Sequence, residues 1–197
     1  CLLALGSVPN TTGMGLEEAG VVLKDGGFVN VDRVSRTSAR GIYSAGDCTG
    51  VFMLASVAAM QGRIAMWHAL GQAVSPIRWD AVAATIFTDP EVATVGMSVE
   101  ECAEAGLQVE TAKLDFRSNS RAKMVHGTDG FVKVHAMVGS GMVVGGVVVS
   151  LRASDLIHPL AVAVQNRLSV AQLAQTMTVY PSMAGSVAEA CRMLMST

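Results

Sequence analysis

Apolar and polar positions follow two different rhythms along the chain, and the change falls near residue 80. In the first part the apolar runs are short and end on glycine. Residues 2–5 stop at Gly6-Ser7-Val8-Pro9-Asn10, the pattern of a buried strand running into a turn. Residues 16–21 read as a short helical turn ending near Gly20. Residues 28–32 alternate like a strand, and Ile42-Tyr43-Ser44-Ala45 reads as another, buried one that closes on Gly46-Asp47. Residues 54–70 hold many alanines, no proline and one interior glycine, Gly62. They predict a helix, and their mostly apolar composition predicts burial on more than one side. Residues 73–80, with Ser75-Pro76, read as a connector.

From residue 82 the texture changes. Residues 84–87 and 92–95 read as short strands around Thr88-Asp89-Pro90-Glu91. Residues 98–105 predict a helix, with Ser98 and Glu101 as a capping box and Gly106 as the stop. Strands are predicted at 109–116, 130–136 and 143–150. The last contains Gly145-Gly146, a pair that marks a bulge or a close backbone approach. Helices are predicted at 153–166, 170–175 and 186–195. A strand block followed by a helix block predicts an antiparallel sheet with helices on one face.

Composition narrows the function classes. The 197 residues make one to two domains. Hydrophobic residues make up 51% and charged residues 15%, against a usual charged share of about 25%. Mean hydropathy is +0.44. Such a chain is not disordered, and it predicts a large buried fraction or an apolar surface that a partner covers. Net charge is −2 and there is no basic block, so no nucleic-acid partner is expected. The longest apolar stretches, 51–60 and 142–151, fall short of the roughly 20 residues of a membrane span, and no secretory leader pattern is visible. Cys1 stands where Met would open a chain, which predicts processing or a piece of a longer protein. Cys1, Cys48, Cys102 and Cys191 form no Cys-x-x-Cys and have no His at metal-ligand spacing. They read as free thiols of a cytoplasmic protein, with no metal site. His68 and His158 read as packing or surface histidines in helices, and the twelve methionines as core and interface filler.

The strongest chemical signal is Arg40-Gly41-Ile42-Tyr43-Ser44-Ala45-Gly46-Asp47 followed by the helix from Leu54. Gly46 lets the backbone approach a ligand closely. Asp47, at a strand's carboxyl end, is a placed acceptor suited to a sugar or ribityl hydroxyl. Met53-Leu54-Ala55-Ser56 opens a helix whose free N–H groups favour developing negative charge, such as the pyrimidine side of a reduced flavin carries. Two readings of Asp47 stand at this level: a loop cap, or a ligand to such a hydroxyl.

Residues 37–50 resemble the second flavin-contacting motif of the flavoprotein disulfide reductase family, which includes glutathione reductase, dihydrolipoamide dehydrogenase and mercuric reductase. Other segments match in the family's order. Leu5-Gly6-Ser7-Val8-Pro9-Asn10 is similar to the end of its nicotinamide-binding domain, where Arg more often stands at Ser7. Residues 87–96 are similar to the opening of its dimerisation domain. Ser120-Arg121-Ala122-Lys123, Gly130-Phe131-Val132-Lys133-Val134 and Tyr180-Pro181-Ser182 follow in place. The resemblance covers essentially the whole chain. It implies the end of an α/β flavoprotein with two dinucleotide-binding domains, followed by an α+β dimerisation domain. Residues 1–27 would close the NAD(P)H-binding domain, 28–79 would be the returning segment of the FAD-binding domain, and 80–197 would form the interface of a homodimer. By the same resemblance Gly46 and Asp47 would meet FAD, with Asp47 on the ribityl chain. Met53, Leu54, Ala55 and Ser56 would approach the isoalloxazine ring, and Gly6 would lie near NAD(P)H. Residues 182–197 would face the partner's active site.

The departures select a branch. Thiol-handling members carry His-Pro-Thr-x-x-Glu near the C-terminus, an imidazole acid–base oriented by a carboxylate. Here the positions read Tyr180-Pro181-Ser182-Met183-Ala184-Gly185. A phenol, titrating near pH ~10, is a poor base for a thiol, and glycine orients nothing. Mercuric reductase has Tyr at that place but keeps the Glu and ends in a vicinal cysteine pair, whereas this chain ends with Cys191 alone. The pattern is more similar to the NAD(P)H quinone reductase branch. The resemblance therefore implies an FAD-dependent oxidoreductase passing electrons from NAD(P)H to a quinone, with Tyr180 as the catalytic candidate. The runners-up are dihydrolipoamide dehydrogenase and mercuric reductase activity. The non-enzyme alternative is a dimerisation module, inactive on its own, because the chain has no Gly-x-Gly-x-x-Gly and no Cys-x4-Cys.

Overall fold

The computed structural model describes residues 1–195, which form two compact units, Cys1–Ile77 and the described residues from Arg78 onward. The final residues of the predicted partner-facing stretch, Ser196 and Thr197, lie outside the described residues.

The first unit is built mainly from turns. Residues 1–8 form no strand, and Leu2, Leu3 and Leu5 are exposed. The strand expected at 2–5 has no neighbouring strand among the described residues to bond with, and an unpaired strand is not stable. At 16–21 a turn closes (Val21 N–H to Leu16 O, 2.9 Å) but does not propagate into a helix. The strands expected at 28–32 and 42–45 shrink to single bridges, Leu23 with Val29 and Arg36 with Tyr43, and Ile42 to Ala45 are half-buried. Val21, Val29 and Ala39 make a small core, with Leu16, Leu23, Val31 and Ile42 against it. The expected long helix is present as α1 (Ala55–Ala69). It buries one stripe, Val57, Gln61, Ile64 and Ala65, while Met60, Met66 and Trp67 are exposed. The prediction of burial on several sides is thus corrected.

The second unit is a five-stranded antiparallel sheet of order β1-β2-β5-β4-β3, from β1 (Ala84–Ile86), β2 (Glu91–Gly96), β3 (Val109–Asp115), β4 (Phe131–Met137) and β5 (Val143–Ser150). Between β2 and β3, α2 (Val99–Glu104) starts at the predicted capping box: Glu101 N–H donates to Ser98 Oγ at 3.1 Å and Ser98 N–H to Glu101 Oε2 at 2.8 Å. An element absent from the predicted set, α3 (Ser120–Met124), is capped by Asn119, whose Oδ1 accepts from Ala122 N–H at 3.0 Å.

The predicted helix at 153–166 is two helices, α4 (Ala153–Leu156) and α5 (His158–Asn166). Pro159 sits in the first turn of α5, where its missing N–H costs nothing; one continuous helix would have needed that N–H. Next come α6 (Val170–Gln175), which packs on the last helix, and α7 (Gly185–Leu194). Helices α4, α5 and α7 cover the sheet face bearing Val132, Val134 and Val148, and with Phe116 and Leu160 these make the fully buried core. Helix α2 departs from the one-face expectation. Its Glu100 senses Lys133 and His135, which alternate with the core-facing valines and so belong to the other face.

Gly145 and Gly146 are the close approach that the sequence marks. A Cβ on Gly145 would stand 2.2 Å from Met97 O, and one on Gly146 would stand 2.7 Å from Lys133 O. The register shift lies opposite them, between His135 and Ala136. No helix among the described residues is long and apolar enough to cross a membrane.

Candidate functional site

In the first unit, Tyr43 to Asp47 lead into a 3-10 turn, Asp47–Thr49. Gly46 is buried at φ 92° and ψ −160°, backbone that other residues avoid. A side chain there would also stand 3.2 Å from Ala58 Cβ on α1. Gly46 N–H donates to Gln61 Oε1 at 2.7 Å, and Gly46 O accepts from Thr49 N–H at 2.9 Å and Thr49 Oγ1 at 2.8 Å. Asp47 O accepts from Gly50 N–H at 3.0 Å. The Asp47 carboxylate is exposed, and no described residue hydrogen-bonds it.

Residues 51–54 then run to the start of α1 without regular structure. Leu54 is the N-cap, extended at φ −129° and ψ 129°, and supplies no capping side chain, so the N–H groups of the first turn are free for a ligand. Met53, Ala55 and Ser56 are exposed and Leu54 is half-buried. At the far end of α1, His68 Nδ1 lies 2.8 Å from the Tyr43 hydroxyl, the rings tilted at 60°. His68, expected to be a packing or surface histidine, thus ties the strand-like approach to the helix. A free carboxylate for hydroxyls beside an uncapped helix start for an electron-rich ring fits a flavin nucleotide. Gly6 is exposed at φ 121°, and nothing lies within 4 Å of where its Cβ would stand. A separate, open concavity of about 750 Å³, lined by Asp32, Arg36, Ser38, Arg40 and Tyr43 among others, contains none of the expected site residues.

In the second unit, Tyr180 is 84% exposed, in a run with Met177 and Val179 at 96% and 79%. Its hydroxyl lies 3.4 Å from Ser120 Oγ. The two side chains line a cavity of about 290 Å³ with Asn119, Ser182, Gly185 and Glu189. Asn119 Nδ2 donates to Ser182 O at 3.0 Å and Ser186 Oγ at 2.8 Å, fixing the 182–186 turn. No histidine lines this cavity. Cys191 on α7 is fully buried, and burial pushes its thiol up to about 11. Among the described residues no group of three His, Cys, Asp or Glu could hold a metal. His135, predicted only as a strand residue, is buried with Thr111 Oγ1 at 2.8 Å from its Nδ1. Burial, and then the Lys133 charge, lower its pKa, while Glu100 opposes them.

Gln61 and Thr49 escaped the sequence reading. The only available signal was a glutamine inside an otherwise apolar helical stripe.

Comparison with known proteins places these segments. Residues 82–191 match the dimerisation domain of the pyridine nucleotide-disulphide oxidoreductases, and residues 1–62 match a second domain family of the same enzymes. The chain is 57% identical over 195 residues to the NAD(P)H dehydrogenase (quinone) of Mycobacterium tuberculosis, covering 99% of this chain and 40% of that protein. It is 39% identical over 192 residues to the dihydrolipoyl dehydrogenase of Haloferax volcanii, covering 96% and 40%. The crystal structure of LpdA from Mycobacterium tuberculosis superposes with a TM-score of 0.93 at 57% identity, covering 98% of this chain and 42% of that one. The chain thus spans about two fifths of the length of these relatives. On the match over more than half its residues, the chain belongs to the pyridine nucleotide-disulphide oxidoreductase family.

Proposed function

We propose that the polypeptide carrying this chain is an FAD-dependent NAD(P)H oxidoreductase of the cytoplasm that delivers two electrons to a quinone and works as a homodimer. In this reading residues 1–27 close the NAD(P)H-binding domain, 28–79 return to the FAD-binding domain and 80–197 form the dimer interface. The exposed run of Met177, Val179 and Tyr180 gives a partner subunit apolar surface to cover.

The observation that carries the choice of acceptor is the turn at Tyr180-Pro181-Ser182-Met183-Ala184-Gly185. It presents a phenol hydroxyl and no imidazole, and Gly185 offers no carboxylate. The 57% identity to an NAD(P)H dehydrogenase (quinone) supports the same choice. Thiol–disulfide chemistry would need an acid–base group that this turn does not supply. Delivery of a metal ion through a C-terminal thiol is equally disfavoured, because Cys191 is buried and its thiolate is suppressed.

Bound FAD would supply the two-electron exchange between a nicotinamide and a quinone. The chain's own residues bind and orient. The Asp47 carboxylate would accept hydrogen bonds from ribityl hydroxyls. The Ala55 and Ser56 N–H groups would donate to the pyrimidine edge, where the helix dipole favours negative charge. Met53 and Leu54 would pack the ring's approach, and Gly6 would leave room for the nicotinamide nucleotide. Tyr180 Oη would donate a hydrogen bond to a quinone carbonyl, with Ser120 Oγ orienting it. Replacing Tyr180→Phe in the full-length enzyme should lower quinone turnover and leave the rate of flavin reduction by NAD(P)H intact. Unchanged quinone turnover would remove Tyr180 from the mechanism.

A further inference from the structure

Gln61 is an amide placed among apolar neighbours. It shares the buried stripe of α1 with Val57, Ile64 and Ala65 and is 1% exposed. An amide there is costly unless both its ends are satisfied. Both ends are, and both lead to one residue, Gly46. Oε1 accepts the Gly46 N–H at 2.7 Å. Nε2 donates to Thr49 Oγ1 at 3.3 Å, and that hydroxyl donates to Gly46 O at 2.8 Å. The residue before Asp47 is therefore held at its donor and at its acceptor. Asp47 itself is held at its carbonyl by Gly50. The backbone under the carboxylate is held at Gly46 N–H, Gly46 O and Asp47 O, while the Asp47 side chain is exposed.

Packing alone does not require this arrangement, since a leucine or methionine would fill the same place in the stripe. What only an amide supplies is an acceptor for Gly46 N–H together with a donor to Thr49. Gln61 lies six residues along α1 from Ala55, about 9 Å of helix. One side chain thus ties the loop that presents the carboxylate to the helix that presents its free amides.

Resting on the flavin reading above, we infer that Gln61 is a positioning residue for FAD binding: it locks the Gly46–Asp47 backbone to α1, so that the ribityl-binding carboxylate and the helix start keep a fixed spacing. It acts only through Asp47 and touches no cofactor.

The test is FAD titration of the full-length apoprotein in five forms: wild type, Asp47→Ala, Gln61→Leu, Gln61→Glu and the double variant Asp47→Ala/Gln61→Leu, with thermal melting alongside. Asp47→Ala and Gln61→Leu should each raise the FAD Kd roughly tenfold, the scale of one lost buried polar contact. In the Asp47→Ala background Gln61→Leu should change the Kd less than about twofold, since coupled residues are not additive. Gln61→Glu gives a readout that mere stability would not move. A protonated glutamic acid can accept from Gly46 and donate to Thr49 as the amide does, and an ionised one cannot donate. Burial raises its pKa, so its FAD affinity should recover toward wild type as pH falls from 8 to 6, over a range where wild type is flat.

An unchanged Kd in Asp47→Ala would overturn the flavin reading, and this inference with it. Loss in Asp47→Ala with none in Gln61→Leu, or fully multiplicative losses in the double variant, would overturn the positioning role alone. Should Gln61→Leu fail to fold, a pH-independent, wild-type Kd in Gln61→Glu overturns it as well.

Discussion

Two glycines near the same helix predict opposite outcomes for the same substitution. Gly46 has φ 92° and ψ −160°, a region reserved almost wholly for glycine, and a β-carbon there costs about 1–3 kcal/mol. That carbon would also stand 3.2 Å from Ala58 Cβ, and the crowding brings the expected loss for Gly46→Ala to about 2–4 kcal/mol. Gly62 lies inside α1 at ordinary helical backbone, with nothing within 4 Å of the added carbon. Gly62→Ala should therefore stabilise by about 0.5–1 kcal/mol, through helix propensity and a less flexible unfolded chain. Urea denaturation of this 197-residue chain, followed by Trp67 fluorescence in a Trp79→Phe background, reports on the first unit. At a slope of about 2 kcal/mol per M, Gly46→Ala should lower the midpoint by about 1–2 M, and Gly62→Ala should raise it slightly. Equal shifts of one sign, or a neutral Gly46→Ala, would refute the assignment of Gly46 to strained, close-packed backbone.

Three further outcomes concern chiefly the second unit. His135 is buried and its pKa is lowered, so its contribution to stability is complete above the unfolded value of about 6.5 and is lost as pH falls through the folded value. His135→Gln should flatten that acid limb in a series of denaturation curves, and an equally steep limb would contradict this. Leu160→Ala, at a fully buried position, should cost about 2–5 kcal/mol in chemical denaturation, and a loss under ~1 kcal/mol would show that the helix–sheet core is misassigned. A thiol reagent applied to the native protein should label exposed Cys1 and spare buried Cys102 and Cys191 until denaturant is added; mass spectrometry showing early modification of Cys191 would overturn its burial.

The sequence carried the elements that local chemistry decides. The α2 capping box, the long alanine-rich α1 and the Gly145-Gly146 approach are each determined by residues within a few positions, and each stands as expected. Elements that depend on distant partners were misread. Residues 2–5, 28–32 and 42–45 have strand patterns, but a strand exists only where another bonds to it, and the first unit offers two isolated bridges there. Residues 153–166 read as one helix, and the break falls where Pro159 opens the first turn of α5. For the proposed site, Gly46-Asp47 and the start of α1 stand out in the sequence because glycine followed by aspartate marks a close backbone approach. Gln61 was not, since periodicity places it on the buried face while its residue type suggests the surface. Only the fold shows Gly46 opposite it. The exposure of Tyr180 likewise depends on the turn's place in the fold and not on its neighbours in sequence.

In the proposed function, electrons from NAD(P)H reach a quinone through a flavin held in part by this chain. Anaerobic stopped-flow on the full-length protein tests it directly: reduce the flavin with NADH or NADPH, then mix with a benzoquinone in one syringe and oxidised lipoamide in another. Rapid flavin reoxidation by the quinone, and none by lipoamide beyond the buffer rate, is the expected result. Reoxidation by lipoamide with the quinone inert would contradict it.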